Sequence, residues 1–287
     1  MDFEVITPKT KGELLAAITE NQGRRFRFGA GYTDLINDFK LHPEAGLTVI
    51  NIAQIQEQSF RAISDKGSCY ELGALVTASA IVSNNTFRKE FPVLHQAASS
   101  VASVQIRNAA TIGGNICNAS PAADMSGALV ALQASCKILN TKGEIREEPL
   151  VSFIRGVGRT SLATNEILKS ISIPKNTSSI LKSGFEKAGT RKSMEISIVF
   201  LGYHFQISKN GVIENAGISC GAVAPVIPFA DTACEFMIGK QVDHLNDFEK
   251  EEFAKRVLAY ATPISDIRAS AWYRKEVLFN ISKGIFQ

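Results

Sequence analysis

One stretch of fourteen residues, TIGGNICNASPAAD at positions 111–124, carries almost no bulky side chain and constrains the fold more than any other segment. Its adjacent glycines, Gly113 and Gly114, permit the backbone to approach a ligand closely. Pro121 precedes a predicted helix whose N-terminus would favour an anion, and Asp124 is suited to accept hydrogen bonds from sugar or polyol hydroxyls. The stretch predicts either a phosphate-binding segment or an unusually polar Ω-like loop.

A second glycine-containing segment, FGAGYTDL at positions 28–35, follows a predicted strand. Gly29 and Gly31 fill the first two glycine places of a Rossmann fingerprint, but Asp34 stands at the third, and we predict no crossover helix to a nearby parallel strand. Small residues still allow successive backbone N–H groups to point at a phosphate. The segment is therefore either an anion-binding loop or a plain turn. Two phosphate-accepting loops in one chain suggest a dinucleotide that is bound without a Rossmann fold.

The composition is that of an ordinary soluble protein of 287 residues, with 45% hydrophobic and 21% charged side chains. The net charge is only +3, which argues against nucleic-acid or membrane-surface binding. No apolar run approaches the length of a membrane span, and the N-terminal residues lack the apolar core of a signal peptide. We expect a cytoplasmic protein.

Several kinds of active site are not indicated by the sequence. It contains neither the GxxxxGK[ST] phosphate loop nor the GxSxG nucleophile elbow. The five cysteines have no spacing typical of zinc or iron–sulfur ligands, and the four histidines stand apart from one another. We predict no metal site and no catalytic side chain in this chain, so that any redox chemistry would come from a cofactor.

The first part of the chain alternates helix and strand patterns, with periodicities that predict a series of short elements. The predicted helices cover residues 11–19, 92–103 and 124–134. The predicted strands cover residues 24–28 and 47–52, a hairpin of 59–63 with 70–75, a hairpin of 136–140 with 144–147, and a strand at 166–173.

Beyond residue 175 the pattern changes to long strands, predicted at 184–188, 196–207 and 213–222, after a polar connection at 176–179. Helices are predicted near 230–239, 246–261 and 268–285. We place a domain boundary near residue 175, which gives one domain at 1–175 and a second at 176–287. An antiparallel sheet followed by helices makes the fold class α+β.

Several segments along the chain resemble one family. QIRNAATIGGN at 105–115 resembles the QIRNxAT-GGN pattern of flavin-binding subunits in the molybdenum hydroxylases, the xanthine dehydrogenase and CO dehydrogenase flavoprotein family. AGYTDL at 30–35 resembles their first loop, and Glu166-Ile167-Leu168 resembles their EIL segment. RKSMEIS at 191–197, GAVAP at 221–225 and RASAWYR at 268–274 resemble segments of their C-terminal domain. The resemblance extends from about residue 2 to residue 285.

This resemblance implies a two-part FAD-binding domain of the vanillyl-alcohol-oxidase (PCMH) type, followed by a CO dehydrogenase flavoprotein-like C-terminal domain. The implied cofactor is FAD. The implied partners are a molybdopterin-binding large subunit and a small subunit with [2Fe–2S] clusters. Electrons would pass from those clusters to FAD and on to NAD⁺ or another acceptor, which makes the chain an electron-transfer subunit with a xanthine dehydrogenase-like role.

The resemblance also implies which residues contact FAD. The diphosphate would be wrapped by two groups of residues, namely Phe28, Gly29, Ala30, Gly31, Tyr32, Thr33, Asp34 and Leu35, and Thr111, Ile112, Gly113, Gly114 and Asn115. Asp124 would hold ribose or ribityl hydroxyls, while Val101, Ala102, Leu168 and Lys187 would lie near the isoalloxazine. Residues 191–195 would form either a mobile loop beside the ring or a solvated turn.

One residue departs from the family pattern at a place that affects the expected function. Tyr32 stands where the family commonly has Gly or Asn, so that it would either stack on a ligand or crowd the diphosphate. Two other functions remain open from the sequence. One is a stand-alone flavin oxidoreductase, which would need a substrate base that we do not find. The other is a flavin-free assembly protein of the same fold.

Overall fold

The computed structural model describes residues 3–178, 180–191 and 194–287. Its strands are β1 (Glu4–Ile6), β2 (Phe26–Gly29), β3 (Thr48–Asn51), β4 (Ile63–Asp65), β5 (Cys69–Gly73), β6 (Ser135–Asn140), β7 (Ile145–Pro149), β8 (Ile154–Gly156), β9 (Arg159–Thr160), β10 (Glu166–Pro174), β11 (Ile180–Ala188), β12 (Val199–Ile207) and β13 (Ile213–Gly221).

The helices are α1 (Lys11–Glu20), α2 (Leu35–Leu41), α3 (Gln58–Arg61), α4 (Ala78–Val82), α5 (Asn85–Glu90), α6 (Pro92–Ser100), α7 (Val104–Ala109), α8 (Ile112–Cys117), α9 (Asp124–Ala131), α10 (Leu150–Phe153), α11 (Asp231–Met237), α12 (Asp247–Leu258) and α13 (Ala271–Gly284). None of the described helices combines the length and the apolar composition that crossing a bilayer requires.

A small parallel sheet with the strand order β1-β3-β2 lies near the N-terminus. Helix α2 connects β2 to its parallel neighbour β3, so the expectation that no crossover helix follows the first glycine segment is wrong. The helix has seven residues and buries only Phe39, and an apolar pattern of that length is too weak to recognise in a sequence.

A five-stranded antiparallel sheet, in the order β4-β5-β10-β6-β7, contains both hairpins that the sequence predicted. The first hairpin begins later than expected, because residues 58–61 form helix α3 instead of a strand. Phe60 in that helix is fully buried, and its backbone lies so close to Gly73 that a side chain there would clash. Tertiary packing has overridden the strand propensity of this segment.

The middle of the chain is more helical than predicted. Helix α6 ends at Ser100, three residues early, because Val101 is extended and Ala102 adopts a left-handed conformation with φ of 36°. Residues 112–117, expected as part of an irregular segment, form helix α8. Helices α4 and α5 were not predicted, although Thr77 and Asn84 cap them with side-chain hydrogen bonds.

The C-terminal sheet is antiparallel in the order β11-β12-β13, and helices α11 to α13 follow it. The α+β class predicted from the sequence is confirmed. Helix α9 packs against this sheet through its small residues, since Gly127 lies against the ring of Phe200 and the carbonyl oxygen of Ala131 lies against Gly217. The small side chains of α9 therefore allow close contact between the helix and the strands.

A buried histidine links the C-terminal sheet to helices α5 and α6. His204 Nδ1 lies 2.9 Å from Ser183 Oγ, which accepts a hydrogen bond from the backbone N–H of Val93. His204 Nε2 lies 2.7 Å from Asn176 Oδ1, while the Asn176 amide donates to the Glu90 carbonyl. These directions assign a neutral imidazole with its proton on Nε2. Burial lowers the pKa of His204 from 6.5 to about 4.

A buried ion pair forms a second link between the same parts of the chain. Lys187 Nζ lies 2.6 Å from Asp124 Oδ2, and both side chains are almost completely buried. Asp124 also accepts hydrogen bonds from Ser197 Oγ at 2.7 Å and Ser100 Oγ at 3.1 Å. Burial raises the pKa of Asp124 despite these partners. The pair joins the start of α9 to β11 and to the segment before β12.

The histidine link predicts acid sensitivity. In the unfolded chain His204 binds a proton near pH 6.5, whereas in the folded chain it stays neutral until about pH 4. The stabilisation is therefore fully present above pH 6.5 and is lost as the pH falls toward 4, by at most about 3 kcal/mol. Denaturant unfolding from pH 7.5 to 4.5 should show a shallower pH dependence for His204→Gln than for the wild type. His42→Gln, at an exposed histidine, is the control. Equal slopes for wild type and His204→Gln would contradict this account.

The ion pair predicts a different stability change. Lys187→Met should leave the Asp124 carboxylate buried without a cation and lower the free energy of unfolding by roughly 3 kcal/mol. Adding Asp124→Asn should restore part of that loss, because a neutral amide needs no counter-charge. Lys255→Met, in the exposed Lys255–Glu251 pair, should change stability very little. Urea unfolding of the flavin-free chain measures all three variants, and an equal effect at Lys187 and Lys255 would refute the prediction.

Candidate functional site

A cavity of about 690 Å³ opens between the segment after β2, helix α8 and strand β10. Its size is in the range of cofactor and ligand pockets. Most residues that the sequence analysis assigned to a cofactor line it, namely Phe28, Ala30, Gly31, Tyr32, Thr33, Asp34, Leu35, Thr111, Gly113, Gly114, Asn115 and Leu168. The two glycine segments, about eighty positions apart in the sequence, thus face the same space.

The first segment carries a run of free backbone donors. Among the described residues, the backbone N–H groups of residues 31–35 make no hydrogen bond to a protein acceptor. Tyr32, the second residue of the run, adopts a left-handed conformation with φ of 59°. Consecutive N–H groups around a left-handed residue form a concave donor surface that suits an anion. The free donors of this segment are thus suited to an anionic ligand.

Gly31 is required by a close approach between the two segments. A Cβ atom there would lie 2.0 Å from the carbonyl oxygen of Ala109, the last residue of α7. Only glycine fits, because that backbone oxygen cannot move aside as a flexible side chain could. The contact holds the free donors of the first segment beside the start of α8.

The second segment uses its own donors differently. The N–H of Ile112 donates to the Val76 carbonyl at 2.8 Å, and that of Gly113 donates to the Ala74 carbonyl at 2.9 Å. The N–H of Gly114 donates to Thr111 Oγ1 at 3.0 Å, which caps α8. The backbone donors at the start of this helix are therefore already paired within the protein. The segment forms a wall of the cavity and contributes fewer free donors than its sequence suggested.

The adjacent glycines have separate structural roles. A Cβ on Gly113 would lie 2.7 Å from the carbonyl oxygen of Ala74, so this glycine permits α8 to pack against the strand end. A Cβ on Gly114 would meet only Thr111 Oγ1, at 2.9 Å, and Gly114 is exposed to the cavity. Gly114 is thus the position where a ligand can lie directly against the backbone.

Two asparagines connect the site. Asn115 Oδ1 accepts hydrogen bonds from the N–H and the hydroxyl of Ser126, at 3.0 and 2.9 Å, which fixes the orientation of the amide. The amide nitrogen of Asn115 is then left as a donor on a residue that lines the cavity. Asn118 Nδ2 donates to Asp34 Oδ2 at 3.3 Å and joins the two segments directly.

Charged side chains at the end of the cavity near α2 are paired with each other. The Arg27 guanidinium contacts the carboxylates of Asp38 and Glu44 and lies over the Phe39 ring. The hydrogen bond from Arg27 lowers the pKa of Asp38. Asp38 therefore stays ionised near neutral pH and is compensated by the arginine, which limits its repulsion of an anionic ligand.

The remaining predicted residues lie outside the cavity lining, which does not include Gly29, Val101, Ala102, Ile112, Asp124 or Lys187. Gly29 lies under the Tyr32 ring, and Ile112 is fully buried. Arg107 donates to the carbonyl oxygens of Val101 and Ala102. Both Asp124 oxygens are occupied by protein donors, so this carboxylate has partners before any ligand is considered.

The loop predicted at residues 191–195 is described only in part, since Lys192 and Ser193 lie outside the described residues. Glu195 accepts hydrogen bonds from the N–H of Arg191 and the hydroxyl of Thr190. Its backbone carbonyl accepts from Lys187 Nζ at 3.0 Å, which connects this segment to the buried ion pair.

Other residues line the cavity that the sequence analysis did not assign to a cofactor, namely Arg27, Asn37, Asp38, Leu41, Ile52, Ala74, Ala110, Cys117, Asn118, Gly158, Leu162 and Ile167. Helical spacing after Asp34 could have indicated Asn37, Asp38 and Leu41. Gly158 and Leu162, near the β8–β9 hairpin, have no signal in the local sequence.

Burial raises the pKa of the Cys117 thiol to about 12, so it stays protonated. In the described ranges, no group of three or more His, Cys, Asp or Glu residues could hold a metal ion.

Comparison with known protein families gives two matches that together cover most of the chain. Residues 1–176 match the family described as the FAD binding domain in molybdopterin dehydrogenase. Residues 185–286 match the CO dehydrogenase flavoprotein C-terminal domain.

Individual relatives agree along nearly their whole length. The glyceraldehyde dehydrogenase medium chain of Sulfolobus acidocaldarius is 29% identical over 289 residues, covering 100% of this chain and 98% of that one. The xanthine dehydrogenase FAD-binding subunit of Escherichia coli O157:H7 is 28% identical over 256 residues, covering 89% and 86% of the two chains.

A solved structure shows the same fold. A chain of the carbon monoxide dehydrogenase from Hydrogenophaga pseudoflava superimposes with a TM-score of 0.90 at 25% identity, covering 99% of this chain and 96% of that one. These matches confirm the resemblance and the cofactor predicted from the sequence. The protein belongs to the FAD-binding family of the molybdopterin dehydrogenases and is an FAD-binding medium subunit of the molybdenum hydroxylase type, a flavoprotein subunit of an oxidoreductase.

Proposed function

We propose that this chain takes electrons from [2Fe–2S] clusters of a partner subunit onto its FAD and passes them to NAD⁺ or another acceptor. The proposed partners are a molybdopterin-binding large subunit, where substrate is oxidised, and a small subunit that carries the clusters. Within the family we propose a xanthine dehydrogenase-like role. The observation that carries the proposal is the run of free N–H groups at residues 31–35 inside the cavity.

The protein's own residues fit the most demanding part of FAD, its diphosphate. Backbone N–H groups of residues 31–35 would donate hydrogen bonds to the phosphate oxygens. These hydrogen bonds would replace the water that solvates the diphosphate, and they need no cationic side chain nearby. Gly114 would let the diphosphate lie against the backbone of α8, and the Asn115 amide would add a side-chain donor. When bound, the flavin supplies the ability to accept and release electrons singly or in pairs.

The negative charges at the cavity are compatible with this ligand. Asp38 is paired with the Arg27 cation, which compensates its charge. The Asp34 carboxylate accepts a hydrogen bond from the neutral Asn118 amide and is exposed to solvent, so that water and salt screen its charge from the phosphates. Leu168, Ile167 and Leu162 provide apolar surface along another wall. We propose that the FAD site is formed by the residues that the sequence assigns to the cofactor and that also line this cavity. Residues 101–102 and 187 would lie beyond the edge of this site, toward the C-terminal domain.

The two proposed partner subunits are inferred from the names of the relatives. The Sulfolobus and Escherichia relatives are named as a medium chain and an FAD-binding subunit of dehydrogenases. The Hydrogenophaga structure is that of a carbon monoxide dehydrogenase lacking the Mo-pyranopterin moiety of its molybdenum cofactor. These names support a molybdenum-containing complex in which this chain is the flavin-binding part.

We also propose two domains, at 1–175 and 176–287. In support, β10 ends at Pro174 and β11 begins at Ile180, so the proposed boundary falls between two strands of different sheets. The last sheet has its own buried apolar cluster with α11 to α13.

The first experiment is an absorbance spectrum of the purified chain, with the released chromophore identified by mass. A flavin band near ~450 nm and a mass equal to FAD are expected. The FAD-loaded chain should then retain the molybdopterin and iron–sulfur subunits in a pull-down and accept electrons from the reduced clusters. A loaded chain that binds no such partner, and that instead reacts directly with a small substrate, would refute the electron-transfer role.

Gly114→Val tests the position of the diphosphate. The valine side chain should project into the cavity and weaken FAD binding at least about tenfold, equivalent to ~1.4 kcal/mol of binding free energy. The fold should persist, because only Thr111 Oγ1 lies close to the added Cβ. Gly284→Val is the matched control, since a Cβ there meets nothing within 4 Å. FAD titration by flavin fluorescence, with circular dichroism to check folding, measures both. Full FAD occupancy in Gly114→Val would show that the diphosphate lies elsewhere.

A further inference from the structure

Tyr32, the second residue of the free donor run at 31–35, occupies an unusual backbone conformation. Its φ of 59° lies in the left-handed region, which L side chains rarely adopt and which glycine adopts freely. Such outliers persist only where the surroundings hold them, and they concentrate at functional sites. The contacts of the Tyr32 ring therefore matter for the shape of the site.

The Tyr32 ring rests on a position that has no side chain. An ideal Cβ on Gly29 would lie 2.4 Å from both Cζ and Oη of Tyr32 and 2.5 Å from Cε1. The ring thus turns back over the end of β2. It also packs against the cluster of Phe39, Leu47 and Val49, all of which are buried.

We propose that Tyr32 is a positioning residue, in which the ring seated on Gly29 holds the left-handed backbone and so aims the N–H groups of residues 31–35 at the diphosphate. The inference rests on the proposed FAD site. It assigns a steric role to Gly29, which has no side chain and so leaves the space that the Tyr32 ring occupies. It also explains how a tyrosine is accommodated in a backbone conformation that glycine adopts more readily. The ring does not crowd the donors, because the glycine three residues earlier makes room for it.

Packing of the ring, and not its hydroxyl, carries this role. Among the described residues, the Tyr32 hydroxyl makes no hydrogen bond, and the tip of the ring lies over Gly29. A phenylalanine would keep every apolar contact. A glycine at position 32 would adopt the left-handed conformation readily but would lack the packed ring. An alanine would lack the ring and would also disfavour the left-handed conformation.

These differences define a series of variants whose FAD affinity is measured by titrating the flavin-free full chain. The expected order of affinity is Tyr32→Phe equal to wild type, then Tyr32→Gly, then Tyr32→Ala, with the alanine variant weaker by at least about tenfold. Gly29→Ala should weaken binding to a similar extent in the wild type, because the new Cβ displaces the ring. In the Tyr32→Ala background, Gly29→Ala should have no further effect, since the ring is gone.

Gly12→Ala is the matched control, because a Cβ there meets only Thr10 Oγ1 at 4.0 Å. Circular dichroism and the apparent Tm of each flavin-free variant separate weak binding from misfolding.

A loss of affinity in Tyr32→Phe alone would overturn the proposal in favour of a hydroxyl donor. Tighter binding by Tyr32→Ala would overturn it in favour of crowding, and additive effects of Gly29→Ala and Tyr32→Ala would show that the two positions act separately. Wild-type chain that binds neither FAD nor ADP would overturn the proposed site as well, whereas wild-type binding with equal variant affinities would overturn only the tyrosine proposal.

Discussion

The site depends on one close backbone contact, between Gly31 and the carbonyl oxygen of Ala109, which leaves no room for a side chain. This contact sets the first glycine segment against the junction of α7 and α8, so that donors from the N-terminal sheet and the Gly114 backbone face one cavity. The short β2–α2–β3 unit supplies the segment, and the helical middle of the chain supplies the opposite wall. A larger residue at position 31 would separate the two walls.

The two glycine segments use their backbone N–H groups differently. Residues 112–114 pair their N–H groups with Val76, Ala74 and Thr111, and this pairing anchors α8 to the strand end behind it. Residues 31–35 are exposed or half-buried, and their N–H groups make no hydrogen bond within the protein, so these donors are available to a ligand. In the proposed FAD site, an anionic cofactor would add hydrogen bonds to the first segment, whereas the N–H groups of the second are already paired within the protein.

Local sterics and tertiary packing explain which parts of the site could be predicted. Gly31 and Gly114 could be found from the sequence, because close backbone approach requires glycine wherever it occurs. The pairing of Gly113 with Ala74 could not, because it depends on how α8 packs against a strand end about forty positions earlier. Asp124 was expected to face hydroxyls of the cofactor, but its carboxylate is paired with Lys187, which belongs to the distant strand β11. The long strands of the C-terminal sheet were predictable from their composition, whereas short helices such as α2 and α5 carry too few residues for a periodic signal.

Hydrogen–deuterium exchange of the backbone amides, with and without FAD, tests the central claim most directly. Without FAD, the amides of residues 31–35 should exchange quickly, while those of residues 112–114 should already be protected by their protein acceptors. Adding FAD should slow exchange at residues 31–35 and change residues 112–114 little. Protection that instead appears at 112–114 and leaves 31–35 unchanged would contradict the account and move the diphosphate to the start of α8.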